Sequence, residues 1–379
     1  MMFKVLLAAS FAVLAAGSAG ARTGQIHTAG ETGAYQNDFC PGLKKALEAA
    51  KLTYDCAASS GSVENITRVL ERPEDIGFAQ FDIFAREAPK FGGEPLTVIR
   101  NDFGRECLFM VTSNKHIKTF GEVSALAEHL TFVLPPEGSG SAATFEFLQK
   151  IDPEGLGKAH KITYAASTDE AIARALAGPD DQITLFVQFP DPNNPRFKAI
   201  DEASGQFIPV IDRAILRQEV NGQKVYYAQE TEISNPKFLK KGETVITSCT
   251  PLTIFTGSAE RIADPVARAN HQDMILTIRD LDRAVLLPKE GFFASLWKRT
   301  KELSASAIEA AVALSEQSRA EARPLIEKAR QKVQESEPTP AGGQVIKVTP
   351  QAKSPPGKDG KQQTGKDKSH PAEKQSGKN

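Results

Sequence analysis

Three segments of this sequence combine glycine with hydroxyl side chains in a pattern able to hold an anion. They are Gly30-Glu31-Thr32-Gly33-Ala34-Tyr35, Ser59-Ser60-Gly61-Ser62-Val63-Glu64-Asn65 and Gly138-Ser139-Gly140-Ser141-Ala142-Ala143-Thr144. Each follows a strand-like apolar run and opens a helix-like one. Free backbone N–H groups and the positive helix end then face one crevice, where a carboxylate or phosphate is held reversibly by neutral dipoles. Ser or Thr before a helix is also the ordinary N-cap; one such turn means little, and three spread over the chain mean more.

Other chemistry has less to stand on. His27, His116, His129, His160, His271 and His370 show no metal-ligand spacing, and Cys40, Cys56, Cys107 and Cys249 form neither a Cys-x-x-Cys nor a Cys/His cluster. Neither a zinc site nor metal catalysis is indicated. Gly138-Ser139-Gly140 lacks the wider Gly-x-Ser-x-Gly elbow, since Glu137 occupies no matching glycine position. Binding without a cofactor is therefore expected, rather than catalysis. Tyr35 suits either a ligand or a cover for the first helix, and Gln80, ending a strand beside the crevice, suits a ligand or the hinge. Arg100 and Arg105 offer a bidentate carboxylate grip or plain ion pairs. Asn65-Ile66-Thr67 matches a glycosylation sequon, although Asn65 serves equally well as a cap.

The elements that must position these turns alternate along the chain. Strands are expected at Gln25–Ala29, Leu52–Ala57 and Ile76–Gln80, with helices at Asp38–Lys51 and from the second turn through Glu71. Leu96–Asn101 and Cys107–Thr112 read as strands around Asp102-Phe103-Gly104. The pattern then restarts, with strands at Leu130–Leu134, Ile162–Ala165 and Ile183–Gln188 between helices at Phe120–Ala127, Gly138–Lys150 and Thr168–Leu176. Strands separated by helix-length segments indicate βαβ units. The prolines of Phe189–Pro195 break the pattern. Later strands are expected at Phe207–Ile211 and Thr244–Phe255, and helices at Pro265–Ala284 and Phe292–Gln334, the last broken or kinked at Pro324.

Met1-Met2-Phe3-Lys4, the short apolar run Val5–Ala16 and the small residues Gly17–Ala21 describe a secretory signal peptide cleaved near Ala21, hence a periplasmic protein. With a net charge of −1, no field that would attract nucleic acid is expected. In an exported chain cysteines are expected to pair, the alternative being four free buried thiols. Four cysteines allow three pairings; proximity favours Cys40 with Cys56, which leaves Cys107 with Cys249. The second bridge would place the chain's exit from a first lobe beside its return, a two-crossing hinge. The expected organisation is lobe 1 from 22–112 and 246–290, lobe 2 from 113–245, a helical extension at 291–337 and a disordered tail at 338–379 rich in Lys, Pro, Gly, Gln and Ser.

Thr28-Ala29-Gly30-Glu31-Thr32-Gly33-Ala34-Tyr35, Ser60-Gly61-Ser62-Val63-Glu64-Asn65-Ile66, Ile76-Gly77-Phe78-Ala79-Gln80-Phe81-Asp82 and Gly138-Ser139-Gly140-Ser141 together resemble the TAXI family of TRAP-transporter solute receptors. The likeness covers about Gln25 to Gln188 and, more faintly, continues to about Ala284. It implies the two-lobed α/β fold of type 2 periplasmic binding proteins, with hinge strands, and capture of a small carboxylate such as glutamate for a membrane permease. Carried over by position, the implied ligand contacts are Thr32, Gly33, Tyr35, Ser60, Ser62, Gln80, Ser139, Ser141, Gln188 and Phe189. The first turn departs from the family's Gly-Thr-Gly-Gly type and carries Glu31 instead.

Phe292, Phe293, Leu296, Trp297, Leu303, Ile308, Val312 and Leu314 recur at nearly helical spacing. This stripe is expected to pack across the lobes in its first half. It equally suits self-association, or membrane-surface contact through Lys298, Arg299 and Lys301. The alternative function is accordingly an envelope interaction or ligand-sensing protein that keeps the binding fold as a scaffold and uses the C-terminal helix for a partner.

Overall fold

The computed structural model describes residues 23–31, 33–236, 242–286 and 303–336, with side chains through Lys328 and at Gln331. The expected leader and its cleavage site, Thr32, the Phe292–Trp297 cluster with its basic neighbours, and the Lys-rich tail lie outside the described residues.

Strands β1 (Gly24–His27), β2 (Tyr54–Ala57) and β3 (Ile76–Gln80) alternate with α1 (Cys40–Ala49) and α2 (Ser62–Glu71), and α3 (Phe81–Glu87) follows β3 directly. β4 (Leu96–Arg100) leads to β5 (Arg105–Thr112). A second series follows: α4 (Phe120–Leu126), β6 (Thr131–Leu134), α5 (Gly140–Ile151), β7 (Lys161–Tyr164), α6 (Thr168–Ala177) and β8 (Gln182–Gln188). Then come α7 (Pro195–Glu202), β9 (Gln206–Pro209), α8 (Arg213–Leu216), the short hairpin β10 (Glu219–Val220) and β11 (Gln223–Lys224), β12 (Tyr227–Glu232) and the long β13 (Thr244–Gly257). α9 (Pro265–Arg279), α10 (Arg283–Leu286) and α11 (Ala305–Ser336) complete the described chain.

The main sheet runs β2-β1-β3-β13-β5-β8-β6-β7, with β4 and β12 also on β13 and β9 also on β5. Its two ends are parallel, β2-β1-β3 in the first half and β8-β6-β7 in the second. β13 lies antiparallel to every neighbour. This is the two-lobed α/β arrangement with hinge strands that the sequence leads one to expect. β3 is buried at every residue, as an apolar strand covered on both faces must be.

The chain passes between the halves at two adjacent points. One lies between β4 and β5. The other is inside β13, which pairs with β5 and β12 up to Pro251 and with β3 from Leu252 onward. Proline has no N–H to give a ladder, so the change of partner falls where the sequence already interrupts it. Leu252 N–H donates to Gly104 O at 2.9 Å and holds the two crossings together. Cys107 and Cys249 are direct register partners there and form a disulfide, and Cys40 and Cys56 form the other.

Apolar side chains gather in three main clusters. Phe39, Leu43, Leu47, Phe78, Ile254, Met274 and Ile278 fill the first half. Phe109, Phe186, Phe197 and Phe207 pack in the second. The largest cluster belongs to both, since Phe81, Ile83 and Phe84 of α3 join Phe145, Leu148 and Tyr226. Each such side chain contributes about 1.5–3 kcal/mol on burial.

Several sequence expectations are corrected. α11 continues past Pro324 without a break; Ala320 and Pro324 are both exposed, so the carbonyl that loses its N–H partner can be solvated. The described part of the C-terminal stripe, in α11, packs on the second half: Gly121 N–H donates to Ser315 Oγ at 2.9 Å, Arg319 bonds Asp212 at 2.9 Å, and Arg213 pairs with Glu309 and Glu316; the stripe's first half, expected to cross the lobes, lies largely outside the described residues. The expected Pro265–Ala284 helix is two, because Asp282 caps a new turn through Ala284 N–H. The proline-rich break ends as a helix start, with Asn194 capping α7 and Pro195 in its first turn.

Candidate binding cleft

Because β1 and β2 are parallel neighbours, the first two turns emerge side by side. Ser59 N–H donates to Ala29 O at 3.1 Å. The buried Asn65 amide donates to Thr28 O and to Phe78 O, the latter at 2.8 Å, and ties the ends of β1 and β3 to α2. That burial accounts for Asn65 as a structural residue.

The second and third turns meet across the two halves. Gly61 has φ +138°, a conformation that favours glycine, and α2 starts there with no side-chain cap. A Cβ at Gly61 would lie 3.1 Å from Gly140 N, and one at Gly140 would overlap Gln80 Oε1. The N-terminal ends of α2 and α5 and the end of β3 therefore touch directly.

Within this junction most of the sequence-predicted side chains have local partners. Gly33 N–H bonds Gly30 O at 2.7 Å. Ser60 gives its N–H and its hydroxyl to Glu64 at 2.6 and 2.7 Å, which holds that carboxyl below its usual range. Ser62 Oγ accepts from Gln80 N–H at 3.2 Å, Ser139 Oγ caps α5 through Ala142 N–H at 3.3 Å, and Ser141 Oγ accepts from Val187 N–H at 2.9 Å. Gln188 Oε1 accepts from Arg196 at 2.9 Å. Phe189 is buried on Phe39, with ring centres 5.2 Å apart. Among the described residues three buried amide atoms have no protein partner: Gln80 Oε1 and Asn65 Oδ1, both acceptors, and Gln188 Nε2, a donor. Thr32 lies outside the described residues.

Tyr35 is buried, stacks on Phe78 at 5.4 Å and donates its hydroxyl to Glu106. Glu106 stands at the start of β5 in the hinge and is 8% exposed. Burial pushes its carboxyl up to about 8, against the Tyr35 hydrogen bond, and nearby Asp82 adds to the rise. Asp82, wholly buried, accepts from Thr144 at 2.7 Å and Tyr226 at 2.9 Å, and its N–H donates to Thr250 Oγ1 at 3.1 Å. Burial raises this carboxyl too. Thr144 and Tyr226 belong to the second half, so Asp82 joins the halves by two hydrogen bonds.

Of the two readings of the arginines, Arg100 takes the ion pair. Arg100 pairs with Asp102 at 2.8 Å, and Arg105 lies 4.0 Å over the Tyr227 ring. Sequence reasoning passed over Glu106 and Asp82. A lone glutamate opening the otherwise apolar run Cys107-Leu108-Phe109-Met110-Val111 was the available signal for the first. For Asp82 it was membership of the Gly77–Asp82 segment. Cavities of about 560 and 430 Å³ lie elsewhere in the second half, one beside Gln206 and Thr244 and one between α6 and α7.

No protein-family model matches the chain, and no curated protein matches it. Among solved structures, the GluR0 ligand-binding core in complex with L-glutamate is similar over 74% of this chain and 98% of its own, at 10% identity and a TM-score of 0.40. The periplasmic binding protein BugD is similar over 81% and 97%, at 12% identity and 0.40. The Candida albicans CA3427 product, described as having the generic periplasmic binding protein fold, is similar over 78% and 90%, at 13% identity and 0.41.

Proposed function

We propose that this chain is an extracytoplasmic solute-binding protein that captures a small polar or anionic molecule of carboxylate type between two lobes, in the manner of TAXI receptors serving TRAP-type permeases. The observation that carries this reading is the meeting of an uncapped α2 N-terminus with the α5 N-terminus from the opposite half; the unpartnered Gln80 Oε1 beside them is left for a donor group of the same solute. Two positive helix ends aimed at one junction favour an anion there. Ser60 already holds the Glu64 carboxylate in the way an incoming carboxylate would be held. The contact set is Thr32, Gly33, Tyr35, Ser60, Ser62, Gln80, Ser139, Ser141, Gln188 and Phe189. On this reading the described arrangement is the closed one, and the two halves, which divide between β4 and β5 and inside β13, turn against each other there to admit solute.

A thermal-shift screen of dicarboxylates, amino acids and sugars on the exported protein tests this. A ligand at a hundred times its dissociation constant adds about 2.7 kcal/mol of stability. Absence of a shift with every solute would sink the proposal. The apolar cluster shared by α3 and α5 favours a second reading, in which the cleft stays sealed and the fold is a scaffold for an envelope partner. Recovery of an envelope protein that depends on α11, with no solute effect, would support it.

A further inference from the structure

At the junction of the two halves stands a buried carboxyl group, Glu106, that no cation among the described residues offsets. Glu106 receives the Tyr35 hydroxyl from the segment after β1. From α3 it faces Asp82, whose charge acts against its own ionisation. β13 places Thr250 opposite it, and β8 places Gln188 beside the adjoining Cys107. Arg105, its neighbour in β5, is turned onto Tyr227, and Arg86 of α3 is engaged by Glu87 at 2.6 Å, Glu146 at 3.2 Å and Ala143 O at 2.8 Å. Around the carboxyl stand hydroxyls, an amide and a second buried acid. An ionised carboxylate is poorly solvated in such surroundings, whereas a neutral acid fits them.

We propose that Glu106 is a proton-operated latch, which keeps the cleft closed while it carries a proton beside Tyr35 and lets the halves separate when the proton leaves to water. This rests on the capture reading, since it assumes that the halves move. The balance is simple. In the open form the hydrated carboxyl ionises near its ordinary 4.5, and in the closed form it holds its proton up to about 8. Between those values each closure takes up one proton from solution, and each opening returns it. An anionic solute would thus be enclosed together with a proton, and its charge would not add to that of an ionised Glu106.

The test uses the full mature chain without ligand. Carboxyl-13C NMR, with the Glu106 signal identified by its loss in E106Q, follows the proton, and small-angle scattering follows the radius of gyration over the same pH range. The expected result is a Glu106 midpoint about 8 and a rise in radius with the same midpoint, while E106Q stays compact throughout. Y35F removes the partner hydroxyl, should E106Q fold poorly, and is expected to shift the midpoint of the expansion. Titration of Glu106 in the ordinary carboxyl range, or titration about 8 with an unchanged radius, overturns the latch. A parallel thermal-shift series with glutarate and L-glutamate separates the two ideas. Stabilisation by solute with no pH-linked expansion defeats the latch alone, and expansion with no response to any solute defeats the capture reading alone.

Discussion

At the scale of single residues, the buried acids set how stability depends on pH. The Glu106 carboxyl titrates about 4.5 when exposed and about 8 in the folded chain, so its stabilising contribution is complete below the first value and lost as pH rises through the second. Wild type is expected to lose on the order of a few kcal/mol between about pH 5 and 8 by urea denaturation, and E106Q to show a much flatter profile. An equal loss in both would refute the assignment. His271, buried against Thr256 at 2.9 Å, is lowered by burial, so its contribution is present above pH 6.5 and fades as pH falls further. Asp82→Ala is expected to cost about 1–3 kcal/mol, because Thr144 and Tyr226 lose their acceptor. Tyr35 and Gln80 were legible in the sequence from their places in the turn and at the strand end. Glu106 and Asp82 were not, because an acidic residue shows its burial only once distant strands and helices surround it.

At the scale of elements, α11 belongs to the second half. Arg319 lies between Asp152 and Asp212, both nearly buried, and its loss leaves two acids without their cation. Arg319→Ala is expected to lower stability by about 1–3 kcal/mol, a value that allows for the partial exposure of the arginine. Gly121→Ala is expected to loosen the helix, since a Cβ there would overlap Ser315 O. Hydrogen exchange of α11 measures both effects, and unchanged protection in both variants would contradict this packing. The parallel strands were legible within one or two residues, because short apolar runs between helical stretches leave few alternatives. β12 was missed because Tyr227-Ala228-Gln229-Glu230-Thr231-Glu232 is polar and owes its strand state to β13. α7 was missed because prolines read as breakers also start helices; at Pro324, read as a kink or a break, the helix does not break because its exposed face tolerates the proline.

At the scale of the whole molecule, two crossings clamped by a disulfide join two α/β halves; the second and third turns meet across them, and the first lies beside the second. The Cys107–Cys249 bridge spans 142 residues of sequence, so a Cys107→Ser, Cys249→Ser double variant is expected to lose about 2–4 kcal/mol. The alternating pattern and the cysteine spacing made this architecture legible, whereas the sharing of one apolar cluster by both halves emerged only when α3 was seen packed on α5. The most direct test is hydrogen–deuterium exchange with saturating glutarate or L-glutamate. Protection should rise together at Gly30–Tyr35, Ser59–Asn65 and Gly138–Thr144; protection confined to one turn, or absent from all three, would contradict a common binding junction.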